Sequence, residues 1–164
     1  MEHYNNIISG WLGASHVFLA TLALFTGAIV LLNKKGTSLH KKYGYTYVIS
    51  MLLMNITAIP LSTLFGGLGP FHFFVLISLP TVLVAIYFPM FARHKKNWLS
   101  NHFEFMAWSY VGLVAAFFAE VVVRIPIILA IESNNGIIAS VFALSGVTMW
   151  GGSFLIKKHR SKIK

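Results

Sequence analysis

Four histidines stand at the ends of long apolar stretches, where a titratable ring is costly. His16 and His72 belong to the first and third stretches, and His40 and His102 open the second and fourth. An ionisable side chain near the centre of a bilayer costs at least ~2.5 kcal/mol, so each one needs a partner or a function. We expect His16 and His72 near one membrane surface and His40 and His102 near the other. Because the two histidines at each depth belong to alternate stretches, the sequence predicts two pairs of histidine ligands, one near each membrane surface.

Two imidazoles on opposite sides of a flat macrocycle are the ligands of six-coordinate haem iron. In a four-helix bundle with sequential neighbours, the first and third helices are diagonal, and so are the second and fourth. Each pair could therefore bind one haem b group, with Arg124 and the lysines balancing the propionates. A hydrogen bond from each imidazole to a backbone carbonyl is the structural alternative, and the sequence leaves that choice open.

Glu120 and Arg124 lie four residues apart, a spacing at which opposite charges meet on a helix. An internal ion pair explains both residues without any chemistry. A second hypothesis joins Glu120 to His16 and His72 as a zinc site, because two imidazoles and a carboxylate are a common ligand set for zinc. Such a protein would be a transporter, a sensor or an intramembrane hydrolase.

Several kinds of chemistry are excluded by residues that the sequence lacks. It contains no cysteine and no aspartate, so disulfides and thiolate metal sites are ruled out. Neither a glycine-rich phosphate loop nor a serine-nucleophile motif occurs. If the protein is an enzyme, we expect a membrane oxidoreductase, since a hydrolase would have to be built from the outer histidine and glutamate residues alone. A third hypothesis is an assembly or scaffold protein whose polar residues only hold its helices together.

The elements that must position these residues follow from composition. Of the 164 residues, 57% are hydrophobic and only 10% are charged, compared with roughly 25% charged residues in soluble domains. The mean hydropathy is +0.74. We predict an all-α membrane protein with one transmembrane domain over residues 1–164 and about five spans. Their predicted ranges are 11–33, 41–64, 71–92, 103–130 and 136–156.

The fifth predicted span has no ionisable residue before its basic tail, so we expect a four-helix bundle core plus one peripheral helix. Its SGVTMWGG stretch is rich in small residues, which favour close helix contact in lipid. This stretch predicts a homo-oligomer that forms through the fifth span.

Twelve of the thirteen lysine and arginine residues fall in the first and third connections and the C-terminal tail. In a five-span topology these segments share one side, which the positive-inside rule assigns to the cytoplasm. The sequence thus predicts a multi-pass protein of the plasma (inner) membrane with its N-terminus outside and its C-terminus in the cytoplasm. The net charge of +9 then follows from topology, so we expect the lipid bilayer as a partner and no nucleic acid.

Three segments carry a resemblance to a known family. They read SHVFLATLALFTGAIVLLNKKGTSLHKKYGYTYVISMLLMN, GPFHFFVLISLPT and NHFEFMAWSYVGLVAAFFAEVVVRIP. The sequence resembles the bacterial membrane proteins grouped as domain of unknown function 2306, which implies a polytopic fold but no reaction. In arrangement it is also similar to the di-haem transmembrane cytochromes b and the related ferric reductases. That likeness implies a haem on each side of the core and a quinol, ferric ion or redox subunit as partner.

Overall fold

The computed structural model describes residues 10–61, 70–128 and 134–160, and helices are the only regular elements in these ranges. This confirms the all-α prediction. The five helices are α1 (Gly10–Leu32), α2 (Ser38–Ala58), α3 (Pro70–Phe91), α4 (Trp98–Ile128) and α5 (Asn134–Arg160).

Helix α2 begins and ends earlier than the predicted span 41–64. It begins at Ser38 because the hydroxyl of Thr37 accepts a hydrogen bond from the backbone N–H of His40 (3.1 Å), which caps the first turn. It ends at Ala58, two residues before Pro60, because Pro60 has no N–H to donate to the carbonyl of Ile56 and cannot continue the helical hydrogen bonds. Residues 62–64 of the predicted span lie outside the described residues.

Helix α4 begins five residues before the predicted 103. The guanidinium of Arg93 lies 5.9 Å from the ring centroid of Trp98, which holds the first residue of the helix against the preceding loop. The N–H of Asn101 then donates to the carbonyl of Asn97 (3.0 Å) and closes the first turn. His102 therefore lies inside α4, in its second turn.

Helices α1 to α4 form a four-helix bundle. The pairs α1–α2 and α3–α4 pack closely, α2 and α3 contact less, and α1 and α4 touch only sparsely. Helix α5 lies outside the bundle and packs against α4, so the prediction of a four-helix core with a peripheral fifth helix is confirmed. We call the end where α1, α3 and α5 finish the inner end, and the opposite end the outer end.

The core lies along the bundle axis and is built from apolar side chains of all four bundle helices. Gly27 of α1 faces two aromatic rings there: a Cβ at this position would lie 2.5 Å from the ring of Tyr110 and 2.9 Å from that of Tyr47. A glycine is needed for this close approach. The buried members of the core cluster are Ala23, Tyr47, Val48, Met51, Met54, Val82, Ala85, Met106 and Leu113.

Four of the five helices, α1, α3, α4 and α5, contain stretches long and apolar enough to cross a membrane. Helix α2 is less apolar because its first turns carry Lys41 and Lys42. It nevertheless runs antiparallel to α1 along the same depth, since His16 near the start of α1 bonds Met54 near the end of α2. The chain is a multi-pass membrane protein.

Of the small residues in the SGVTMWGG stretch of α5, Ser145 and Gly152 are buried and Gly146 is exposed. Gly152 is buried, and a Cβ there would lie 2.5 Å from the side chain of Val111. The opposite face presents large apolar side chains, with Val147, Trp150 and Phe154 between 63% and 76% exposed. Gly152 is thus used for packing within one chain, and the homo-oligomer stays a prediction.

Candidate functional site

At the inner end, His102 is held by a carbonyl that a proline leaves without its helical donor. In α3 the carbonyl of Ala85 would normally accept from the N–H of residue 89, but Pro89 has none. The Nδ1–H of His102 donates to this carbonyl instead, at 2.8 Å. A carbonyl only accepts, so in the neutral ring Nε2 carries the lone pair. Histidines that bind metals are commonly oriented in this way.

His40 lies opposite, in the first turn of α2 at the membrane surface. Its Nδ1 atom is buried and, among the described residues, has no hydrogen-bond partner. Burial lowers the pKa of His40, and the positive charge of Lys35, together with that of His102 when it is protonated, lowers it further. A hydrogen bond to the backbone carbonyl of Val30 raises it. A lowered pKa keeps the ring neutral at pH 7, which is the form that binds a metal.

A contact between two hydroxyl groups shows which faces of α2 and α4 carry the two inner histidines. The hydroxyls of Tyr47 on α2 and Ser109 on α4 lie 2.8 Å apart across the bundle axis. Each stands seven residues, or two helical turns and ~10.5 Å, after His40 and His102 respectively. Residues seven apart share a helix face, so His40 and His102 stand on the faces of α2 and α4 that carry this contact. The ring of His102 bonds α3, and that of His40 bonds α1. One turn after His40, a Cβ at Gly44 would meet no atom within 4 Å.

The two outer histidines both bind the C-terminal end of α2. His16 approaches from α1, with Nδ1 3.0 Å from the hydroxyl of Thr57 and 3.2 Å from the carbonyl of Met54. His72 approaches from α3, and its Nε2–H donates to the carbonyl of Ile59 at 3.2 Å. The carbonyl of Ile59 lies past the last residue of α2 and has no helical donor, and the imidazole of His72 satisfies it.

The tautomer of His16 follows from its partners. The hydroxyl of Thr57 donates its own proton to the carbonyl of Met54 (2.9 Å), so it accepts from the Nδ1–H of His16. The acceptor nitrogen of the ring is therefore Nε2. His16 lines an internal cavity, whereas His72 is not among the described residues that surround it.

That cavity has a volume of about 680 Å³ and lies between α1, α2, α3 and α4, towards the outer end. Most of its wall is apolar. In its polar part, the side-chain amide of Asn55 donates to the hydroxyl of Ser78 (3.1 Å) and to the carbonyl of Met51 (2.7 Å). The other polar residues on the wall are His16, Thr21, Thr81, Trp108, Ser109 and Glu120.

The zinc hypothesis finds no support in this arrangement. Glu120 lines the cavity with His16, but His72 turns to the end of α2. Within residues 10–61, 70–128 and 134–160, no three histidine or acidic side chains come together as a metal-binding group. Arg124 belongs to α4, and its side chain lies outside the part of the chain that the structure describes.

Sequence reasoning missed three contacts that shape the inner end. The heptad spacing of Tyr47 and Ser109 from the histidines could have indicated their contact. Pro89, four residues after Ala85, could have indicated a carbonyl open to a new donor. The ion pair between Arg160 on α5 and Glu104 on α4 (3.0 Å) left no local signal, because it joins residues far apart in the chain.

These features define a polytopic helical membrane protein with a four-helix core, an inner histidine pair and an outer apolar cavity. The chain belongs to the family described as predicted membrane protein (DUF2306), whose model matches residues 13–153. No curated protein and no solved structure matches the chain. The matched range includes all four histidines. The description of the family gives no reaction, so a function must be inferred from the residues.

Proposed function

We propose that this protein is an integral membrane electron-transfer protein in which His40 and His102 bind haem b at the inner end of the bundle. The observation that carries the proposal is that His40 and His102 stand at the same end of the bundle, on the faces of α2 and α4 that meet at Tyr47 and Ser109. His102 is oriented by the carbonyl of Ala85 and presents Nε2, while the buried Nδ1 of His40 has no hydrogen-bond partner in the described part of the chain. Haem, when bound, supplies a one-electron carrier in a site that needs only two protein ligands.

The donor set fits haem better than zinc. Zinc sites use three or four protein ligands, and the described residues bring only two imidazoles together here. The open space beside Gly44 leaves room on the face of α2 that carries His40. The exposed side chains of Lys41 and Lys42 lie next along the helix and can balance propionate charge.

Arg124 cannot serve a haem at the inner end. It stands 22 residues after His102 on the same helix, which corresponds to ~33 Å along the axis. Its predicted role as a propionate partner would need a haem at the outer end. We do not extend the proposal there, because His16 lines the cavity whereas His72 does not, so the two outer imidazoles do not line one site.

An absorption spectrum tests the proposal directly. The full chain should be expressed with a haem precursor, purified in detergent and measured before and after dithionite. We expect a Soret band that shifts on reduction, and we expect His40→Ala and His102→Ala each to lose it. His94→Ala, in the exposed loop after α3, is the matched control and should keep the band.

Two outcomes would refute haem binding at this pair. One is a colourless protein under these conditions. The other is a band that persists in both inner variants but disappears in His16→Ala or His72→Ala. Circular dichroism of each variant separates loss of the cofactor from loss of the fold.

We also propose that the inner end faces the cytoplasm of the cell and that the protein lies in the plasma membrane. Support comes from the charges, because every lysine and arginine in the described loops and at the end of α5 lies at this end. Cysteines placed at Gly136 and Lys157, at opposite ends of α5, should react with a membrane-impermeant reagent from opposite sides. Labelling of both from the same side would overturn this topology.

A further inference from the structure

The outer cavity lies between the bundle helices and is large enough to favour an occupant. On α4 its wall runs from Phe105 to Val121, ~24 Å along the helix axis. Its volume of about 680 Å³ is far larger than the water-sized voids of close-packed interiors. Side chains around an empty space of this size lose dispersion contacts, so a molecule that fills it is favoured.

Water is a poor occupant, because most of the polar side chains on the wall already have partners. The hydroxyls of Thr21 and Thr81 donate to carbonyls one turn earlier in their own helices, at 2.8 and 2.6 Å. Both donor positions of the Asn55 amide are used within the protein, and His16 and Glu120 have interactions of their own. A buried water molecule needs about two to four polar partners, so this wall favours an apolar occupant.

The cavity opens sideways, towards the lipid. Nearer the inner end, the hydroxyl of Tyr110 donates to the carbonyl of Leu24 at 3.2 Å and joins α4 to α1. Elsewhere these two helices contact each other only sparsely. The wall residues that border the gap between them are 39% to 46% exposed, and they are Val17, Phe117 and Val121. The hydrocarbon of the bilayer therefore reaches the cavity between α1 and α4 without crossing water.

We propose that this cavity is a binding site for one acyl chain of a phospholipid from the surrounding bilayer. Phospholipid chains are the apolar groups present at the opening in the highest concentration, so mass action favours them over a scarcer ligand. The chain enters between α1 and α4, and its head group stays at the membrane surface, where it needs no partner on the wall. This site goes beyond the haem at the inner end and does not depend on it.

Tryptophan fluorescence provides the assay, because Trp108 lines the cavity and bromine atoms on a lipid chain quench indole emission on contact. In the test protein, phenylalanine replaces the other three tryptophans, Trp11, Trp98 and Trp150. The full chain is reconstituted in vesicles of dioleoyl phosphatidylcholine, of which a rising fraction is the same lipid brominated at its double bonds.

The shape of the quenching curve reports how many lipids reach the ring. We expect the quenching of Trp108 to rise in proportion to the brominated fraction, because a single chain fills the cavity. A variant that keeps only Trp150, which is 76% exposed on α5, is the reference. Its emission should fall more steeply at low brominated fractions, because several lipids surround that ring.

Gly112 gives a way to fill the cavity without disturbing the bundle. It lines the cavity one turn after Trp108, and a Cβ there would meet no atom within 4 Å. We expect Gly112→Leu to remove most of the quenching of Trp108, because the leucine side chain takes the place of the acyl chain. Gly146→Leu is the matched control, because Gly146 also has open space around it but lies on the exposed face of α5. Its curve should match that of the parent, and circular dichroism checks that both variants fold.

Three results would overturn the acyl-chain site. Trp108 that stays unquenched while Trp150 is quenched would mean that no lipid chain enters, and this comparison tests the proposal even if Gly112→Leu does not fold. Equal quenching in the two glycine variants would mean that bromine reaches Trp108 from outside the cavity. Relief of the quenching by palmitate, at a mole fraction well below that at which unbrominated phospholipid relieves it, would identify a fatty-acid site instead.

Discussion

From the hydrogen bond between the hydroxyls of Tyr47 and Ser109 we predict that removing one partner costs more stability than removing the other. Ser109 donates its own proton to the carbonyl of Met106 (2.8 Å), so the Tyr47 hydroxyl must be the donor to Ser109. Both side chains are buried, with Tyr47 1% and Ser109 2% exposed. Removing either partner breaks the same hydrogen bond, but the hydroxyl group that remains differs in whether it still has a second partner.

The two single substitutions should therefore differ in cost. Tyr47→Phe removes the donor and leaves the Ser109 hydroxyl bonded to Met106, so we expect a loss of ~0.5–1.5 kcal/mol in the free energy of unfolding. Ser109→Ala leaves the tyrosine hydroxyl buried without an acceptor, which should cost ~1–3 kcal/mol. The double variant removes that orphaned group, so it should be more stable than Ser109→Ala by about 1 kcal/mol.

Reversible unfolding in mixed micelles of dodecyl maltoside and SDS, followed by circular dichroism, measures these three free energies. The order of stability should be parent, then Tyr47→Phe, then Ser109→Ala, with the double variant above Ser109→Ala. If Ser109→Ala were as stable as Tyr47→Phe, or if the double variant were less stable than either single one, the assigned direction of the hydrogen bond would be wrong.

Three further predictions use the same unfolding assay. Gly27→Ala places a Cβ 2.5 Å from the ring of Tyr110 and should cost ~1–3 kcal/mol through overpacking, whereas Gly146→Ala, in open space, should not destabilise the protein. Burial lowers the pKa of His40 below its ordinary value of 6.5, so the folded chain binds that proton more weakly than the unfolded chain. The free energy of unfolding should then fall as the pH drops below 6.5, and His40→Gln should reduce the fall; an unchanged pH profile would contradict this reasoning. Arg160→Ala breaks a partly exposed ion pair with Glu104 and should change stability by less than about 1 kcal/mol, and a larger loss would mean that α5 depends on it for docking.

The architecture could be predicted from the sequence because it depends on the length of the apolar stretches and on the positions of the ionisable residues. Long apolar stretches gave five helices, and the lack of ionisable residues in the fifth gave its peripheral place. The ends of helices were harder, since they depend on local atoms. The cap at Thr37 and the effect of Pro60 moved α2 towards the N-terminus, and the contact of Arg93 with Trp98 extended α4.

The candidate site could be predicted only as far as residue type and spacing reach. Periodicity placed His40 and His102 on facing sides of α2 and α4, but it treated the outer pair in the same way. The outer pair differs in its hydrogen-bond partners near the end of α2, which a sequence pattern does not show. The ring of His16 bonds Thr57, and the ring of His72 bonds the carbonyl of Ile59. The two rings therefore have different partners and do not form one ligand pair. The cavity was not predicted at all, because it depends on the sparse contact between α1 and α4.

The backbone carbonyl that His102 bonds differs from the groups that the outer histidines bond. At the outer end the imidazoles of His16 and His72 bond groups in the last turn of α2 and just after it, and so join this helix to α1 and α3. At the inner end the open carbonyl is that of Ala85, in the body of α3, and it exists because Pro89 carries no N–H. A bond to it fixes the ring of His102 within the bundle and leaves Nε2 directed away from α3. Restoring the missing N–H with Pro89→Ala should therefore weaken the orientation of His102, and a haem held there should become easier to remove, although no ligand has been changed.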